Sequence, residues 1–247
     1  GFSPVRSRDK GQELFNRLTL VAGNIDGELK VNCAGRSRTL SGEGAIVKAV
    51  FELPDSSAKT SLTISGHADI YGVLLDTETG VRMDNVAMRG CSGLVFTAMD
   101  ASQLRSFYNS ENVRLILLQY GGNTVPYLST GKAISGYASS VRRQIRHLHK
   151  LAPQATLIFI GPSDMSTTVE GKRQTYPKLP DIVDSLRVAA TAEGAAYWDI
   201  YGAMGGRNSM IDWVGAAPPL AGSDYVHFTP RGSARVGEMF SDSFLLY

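Results

Sequence analysis

Asp224 and His227 stand three residues apart in the run DYVHFTPRG. In a turn, that spacing lets a carboxylate accept a hydrogen bond from the imidazole Nδ1–H. The contact fixes the tautomer and leaves Nε2 free as a base, as in the acid–histidine half of a serine hydrolase. The plain alternative is a solvated aspartate beside a surface histidine at the start of a helix. Gly121-Gly122-Asn123, directly after the apolar run VRLILLQ, is the second candidate. An Asn amide and a nearby glycine N–H are suitable donors to an oxyanion. The same residues also make ordinary strand-to-helix turns. Gly90, after NVAM, offers a further backbone N–H, or only relieves crowding.

Other chemistry-bearing residues fit less well. Ser92 follows a strand-like run, but its GCSG context lacks the glycine spacing of a nucleophile elbow. Ser163 is restricted by Pro162. Cys33 and Cys91 have no metal-ligand spacing, and either a disulfide or two free thiols suits them. His147 and His149, at i and i+2 of a helical pattern, do not share a face for a metal. His67 reads as structural or exposed, Arg89 as solvated, and Trp198 and Trp213 as core or cleft walls.

The elements that must position these residues fall into two parts. Residues 1–80 carry strand-like runs with period-2 alternation: Leu14–Ala22, Glu28–Cys33, Gly44–Leu53, Thr60–Ser65 and Ala68–Leu75, with Gly23-Asn24 and Asp26-Gly27 read as turns. They predict a small antiparallel β-module. Residues 81–247 alternate apolar strands (Asn85–Met88, Val113–Gln119, Ala155–Ile160, Ala195–Ile200) with helical patterns. One helix is predicted from a cap at Ser135 to just before Pro153, one over 180–193 ending at Gly194, and one from Thr229-Pro230. Such alternation implies a parallel sheet covered on both faces, a three-layer α/β/α sandwich. Ligands of such sheets sit beyond the carboxyl ends of the strands, where the candidates lie.

At 247 residues and 43% hydrophobic, the chain can bury a sizeable core. A formal net charge of +2, with 19% charged residues, gives no electrostatic case for a nucleic-acid partner. No apolar run approaches the roughly 20 residues of a transmembrane segment, and the first residues lack a signal-peptide core.

In this order, residues 85–247 resemble the SGNH, or GDSL-type, hydrolases. The matching positions are Gly90 for the second block, Gly121-Gly122-Asn123 for the third, and Asp224 to His227 for the fifth. MRGCSG, LQYGGN, IGPSDMS, YWDIYGAMGGRNSM and DYVHFTPRG resemble the envelope branch of peptidoglycan and polysaccharide O-acetylesterases. The resemblance implies a flavodoxin-like strand order, 2-1-3-4-5, and a carbohydrate-binding-like β-module of which residues 1–80 are part. It implies an acylated carbohydrate of the envelope or diet as substrate, no cofactor or metal, and a periplasmic, cell-surface or secreted location. It implies roles too: Asp224 orienting, His227 as base, Asn123 and the Gly90 N–H as oxyanion donors.

The departure is the nucleophile. The family's Gly-Asp-Ser block, which ends its first strand, is absent from these residues. Either the serine lies upstream of residue 1, which the missing Met and abrupt start favour, or the chain is a non-catalytic carbohydrate-binding or scaffold protein on a decayed hydrolase fold. The place of the first strand would then be filled by an N-terminal segment, by residues 1–20 or by a second molecule, or closed by pairing Asn85–Met88 with Val113–Gln119. The gap is expected to be filled.

Overall fold

The computed structural model describes residues 15–42, 46–57 and 59–245. The chain divides into two compact units between Ala87 and Met88, a little beyond the sequence boundary.

The first unit is an antiparallel sheet built around one long strand, β1 (Phe15–Cys33). A two-residue turn leads from it into β2 (Arg36–Leu40), and β3 (Val47–Ser57) and β4 (Leu62–Asp76) follow. β4 pairs along one edge of β1, while β3 and β2 share the other edge. Two strands predicted from Leu14–Ala22 and Glu28–Cys33 are therefore one, and Thr60–Ser65 and Ala68–Leu75 also fuse. The expected turn residues are bulges. Asn24 and Gly27 take left-handed φ of 47° and 73° inside the strand, and the register with β4 shifts on either side of Asp26. The shift has a purpose visible in the burial. Leu18, Leu20 and Ala22 reach the core on even numbers, whereas Leu29, Val31 and Cys33 reach it on odd ones. A strand with strict period 2 would turn one of these sets outward. Gly44 and Ala45, the first two residues of the predicted strand Gly44–Leu53, lie outside the described residues.

The second unit is the α/β layer. Its strands β5 (Leu115–Gln119), β6 (Thr156–Ile160) and β9 (Ala196–Trp198) pair in parallel in the order β5-β6-β9. β6 is central and alternates: Leu157 and Phe159 enter one apolar cluster, Ile158 and Ile160 the other. The first cluster includes helices α2 (Gly131–Leu151) and α3 (Leu179–Ala192), through Val141, Ile145, Leu148, Ile182 and Leu186. The second takes Met210 and Trp213 of α5 (Ser209–Gly215) and Val236, Met239 and Phe240 of α6 (Pro230–Leu245). Three layers result. Burying a side chain such as Ile145, wholly inaccessible, stabilises by roughly 1.5–3 kcal/mol. A short α1 (Ala101–Ser110), a polar hairpin of β7 (Ser166–Val169) and β8 (Lys172–Thr175), and the single turn α4 (Ile200–Ala203) complete the unit.

Three expectations are corrected. Asn85–Met88 forms no strand; Val86 is 80% exposed and no ladder joins this segment to β5. Four residues without an adjacent strand cannot satisfy their backbone as a sheet. The helix expected from Ser135 begins a turn earlier, because Thr130 accepts a hydrogen bond from the Ala133 N–H at 3.2 Å and caps it. Of residues 1–20, those from Phe15 onward are committed to β1, so they do not fill the outer edge of β5. Among the described residues that edge carries no strand.

Candidate active site

The last predicted feature is built most firmly. Residues 221–228 fold back on themselves: Ala221 and Phe228 form a β-bridge, and the Gly222 N–H donates to the His227 carbonyl at 2.8 Å. Inside this loop the Tyr225 N–H donates to the Gly222 carbonyl at 2.9 Å, and Tyr225 takes a left-handed φ of 59°. Asp224 is thereby turned toward its own chain. Its Oδ1 accepts the N–H groups of Val226 and His227 at 3.0 and 3.1 Å. Its Oδ2 lies 2.7 Å from His227 Nδ1. The hydrogen bond from the imidazole, helped by the two backbone N–H groups, holds the Asp224 carboxyl down at about 2. An ionised carboxylate only accepts, so Nδ1 carries the proton and Nε2 is left with a lone pair. The loop is seated on α6 by close approach. A side chain at Gly232 would collide with the Leu220 carbonyl oxygen.

A pocket of about 200 Å³ opens beyond the carboxyl ends of β5 and β6. His227 and Val226 line one side, and Tyr120, Gly121, Gly122 and Asn123 another. Gly161, Pro162, Ser163 and Met165, after β6, line it too, together with Gln119 and Cys91. The expected meeting of Asn123 with His227 is therefore present. Gly121 makes it practicable: its φ is 110°, and a Cβ would sit 3.0 Å from Leu186 Cδ1. Chain direction changes there between the strand and the 3₁₀ turn Gly122–Tyr127.

Asn123 Nδ2 donates to the Cys91 carbonyl at 3.2 Å, which orients the exposed amide. Gly90 stands in a solvent-exposed turn with φ 75°, next to Cys91 but not in the pocket wall. Of the two serines weighed from sequence, Ser163 lines the pocket and Ser92 does not. The Ser92 carbonyl instead accepts from Tyr137, whose phenol burial pushes up to about 12 and so keeps protonated as a donor. Cys33 and Cys91 are both free thiols.

Asp164 is a buried carboxylate that sequence reasoning passed over. It accepts from Thr175 Oγ1 at 2.8 Å and from the Met210 N–H at 2.8 Å, and burial pushes its carboxyl up. It ties the pocket loop after β6 to β8 and to the start of α5. Cys91 was missed as a wall residue as well. Its neighbour Gly90 was the only signal.

No protein-family model matches the sequence, and no curated protein does. Solved structures are informative.

The fold is shared with a peptidoglycan O-acetylesterase.

The likeness covers 96% of this chain and 65% of that one, at 21% identity and a TM-score of 0.67. It establishes the mixed α/β fold with its antiparallel module. The chain thus spans just under two thirds of that structure. A Bacillus subtilis protein (16% identity, 91% and 75% of the two chains, TM-score 0.39) is more loosely similar. So is a carbohydrate esterase of family 2 with its carbohydrate-binding domain from Corynascus (12%, 93% and 90%, TM-score 0.36). No helix among the described residues is long and apolar enough to cross a membrane.

Proposed function

We propose that this chain supplies the acid–histidine and oxyanion halves of an ester hydrolase, and that the full protein removes acyl groups, acetyl foremost, from a carbohydrate of the envelope or diet. The observation that carries the reading is the 2.7 Å contact of Asp224 with His227 beside a pocket that also holds Asn123. A serine outside these residues attacks the ester carbonyl carbon, and His227 Nε2 takes its proton. The Asn123 amide N–H steadies the negative charge on the tetrahedral oxygen. Collapse expels the sugar alkoxide, which takes the proton back from His227. Water then repeats the cycle on the acyl-serine and frees the acid. Asp224 stays ionised throughout and keeps the imidazole aligned while it is charged.

The test is acetate release from an O-acetylated polysaccharide by the full-length gene product, against its His227→Ala variant. Release that vanishes in the variant supports the reading. Equal release from both sinks it. Saccharide binding without release points to a carbohydrate-binding protein instead.

A further inference from the structure

The β7–β8 hairpin leaves the pocket wall directly after Met165 and returns at Tyr176, whose N–H donates to the Met165 carbonyl at 3.1 Å. It is anchored at its base. The Ser166 N–H donates to the Tyr225 carbonyl at 3.0 Å. Thr175 donates from Oγ1 to Asp164 and from its N–H to Asn208 Oδ1 at 3.0 Å, and accepts the Asn208 N–H on Oγ1 at 2.7 Å. The hairpin is thus fixed relative to the loop that holds Asp224 and His227. Arg173 pairs with Thr168 in the register and shares a strand face with Thr175. Its guanidinium carbon lies 4.5 Å from the centre of the Tyr225 ring, and Tyr225 is the residue between Asp224 and Val226. Among the described residues the guanidinium makes no ion pair and no side-chain hydrogen bond. A guanidinium held over an aromatic ring keeps N–H donors free, a fork that matches a carboxylate. The hairpin's other charges are Lys172 and, at the turn, the single acid Glu170. The carboxylate of Asp224 is already taken by His227.

Resting on the hydrolase reading above, we propose that Arg173 is the anion-reading rim of the site, and that the acylated substrate is an acidic glycan with a sugar carboxylate near the ester. The guanidinium held over the Tyr225 ring binds that carboxylate and sets the sugar over the pocket. Neutral glycans of the same length lack this contact.

The experiment uses the 247-residue chain and two probes, a galacturonate trimer and a mannose trimer, titrated at low salt while the imidazole signals of His227 are followed by NMR. The acidic trimer is expected to bind about tenfold tighter, the equivalent of one well-formed charged contact. Arg173→Gln should remove the preference, and Arg173→Lys should keep part of it, since an ammonium has no fork. Arg187→Gln, at an exposed arginine of α3 paired with Asp184, should leave it intact. Equal affinities in the wild type, or an undiminished preference in Arg173→Gln, overturn the proposal. If both trimers shift the His227 signals equally, the rim role falls and the site reading stands. If neither shifts them, the site reading falls and the rim role falls with it.

Discussion

The loop of residues 221–228 and the segment of residues 81–90 were both expected to serve one site, and they are built in opposite ways. The first is closed by its own backbone: a β-bridge, two short-range turns and a carboxylate that accepts three hydrogen bonds. The second is extended and open to solvent, with Val81, Met83 and Val86 exposed to 101%, 79% and 80%. Both contain residues of the right type. Only one contains the partners its residues need. The Asp224–His227 pair is held locally, because all three donors to the Asp224 carboxylate lie within three residues of it. A strand over Asn85–Met88 would have needed a neighbour to pair with. Local chemistry survives in isolation where sheet-dependent chemistry does not.

The sharpest break of this comparison is at the histidine. In the full-length protein, His227→Ala should lower acetyl-ester turnover by about 10⁶, and Asp224→Asn by about 10⁴ through the wrong tautomer. A pH-stat assay on an acetylated saccharide measures both. A loss below tenfold for either would mean the closed loop is only structural. Asn123→Ala tests the facing wall. It should lower kcat by about 10²–10³ with KM little changed, as expected for a donor used in the transition state. A rise in KM alone would make Asn123 a ground-state contact.

A smaller effect is expected in the stability of the loop. The folded Asp224 carboxyl is depressed to about 2, below the ordinary carboxylate range, by the hydrogen bond from His227. A depressed acid stabilises the fold above its unfolded pKa, and the contribution is lost as pH falls from about 4 through 2. The side chain is half exposed, so solvent screening limits the gain to less than about 1 kcal/mol. Urea midpoints of the 247-residue chain at pH 5 and pH 2.5 should converge with those of Asp224→Asn at the lower pH. Asp164 works in the opposite sense, because burial raises its carboxyl, and it favours the fold as pH falls. Smallest of all, Val86→Ser should change stability by no more than about 0.5 kcal/mol. A cost above 1 kcal/mol in a thermal melt would show that the open segment is packed in solution.

The sequence was most readable where a pattern serves both local and global needs. The alternation of ATLIFI gave β6, and the spacing of Val141, Ile145 and Leu148 gave the buried face of α2. It was least readable where structure rests on few apolar contacts. α1 has no fully buried side chain, so its periodicity carried little signal. β7–β8 is polar apart from Val169, and its one cue was Glu170-Gly171, both with positive φ, as tight hairpin turns require. Turn residues misled in β1, where Asn24 and Gly27 bend a strand without ending it. In the candidate site, Asp224, His227 and Asn123 could be named because their order along the chain, after strand ends and before the last helix, resembles a known family. Asp164 and Arg173 could not, since their partners Thr175, Met210 and Tyr225 are brought in by tertiary folding.

The outer edge of β5 has a consequence for handling and assembly. Leu115-Ile116-Leu117-Leu118 combines high β-propensity with no charge and no proline, and Leu115 is 46% exposed. Backbone donors and acceptors in such a run recruit any free strand that drifts past, including the same run on another molecule. Among the described residues that edge is uncovered, and left uncovered it would nucleate aggregation in concentrated solution. A short charged or proline-bearing cover over these residues would raise solubility without touching the pocket.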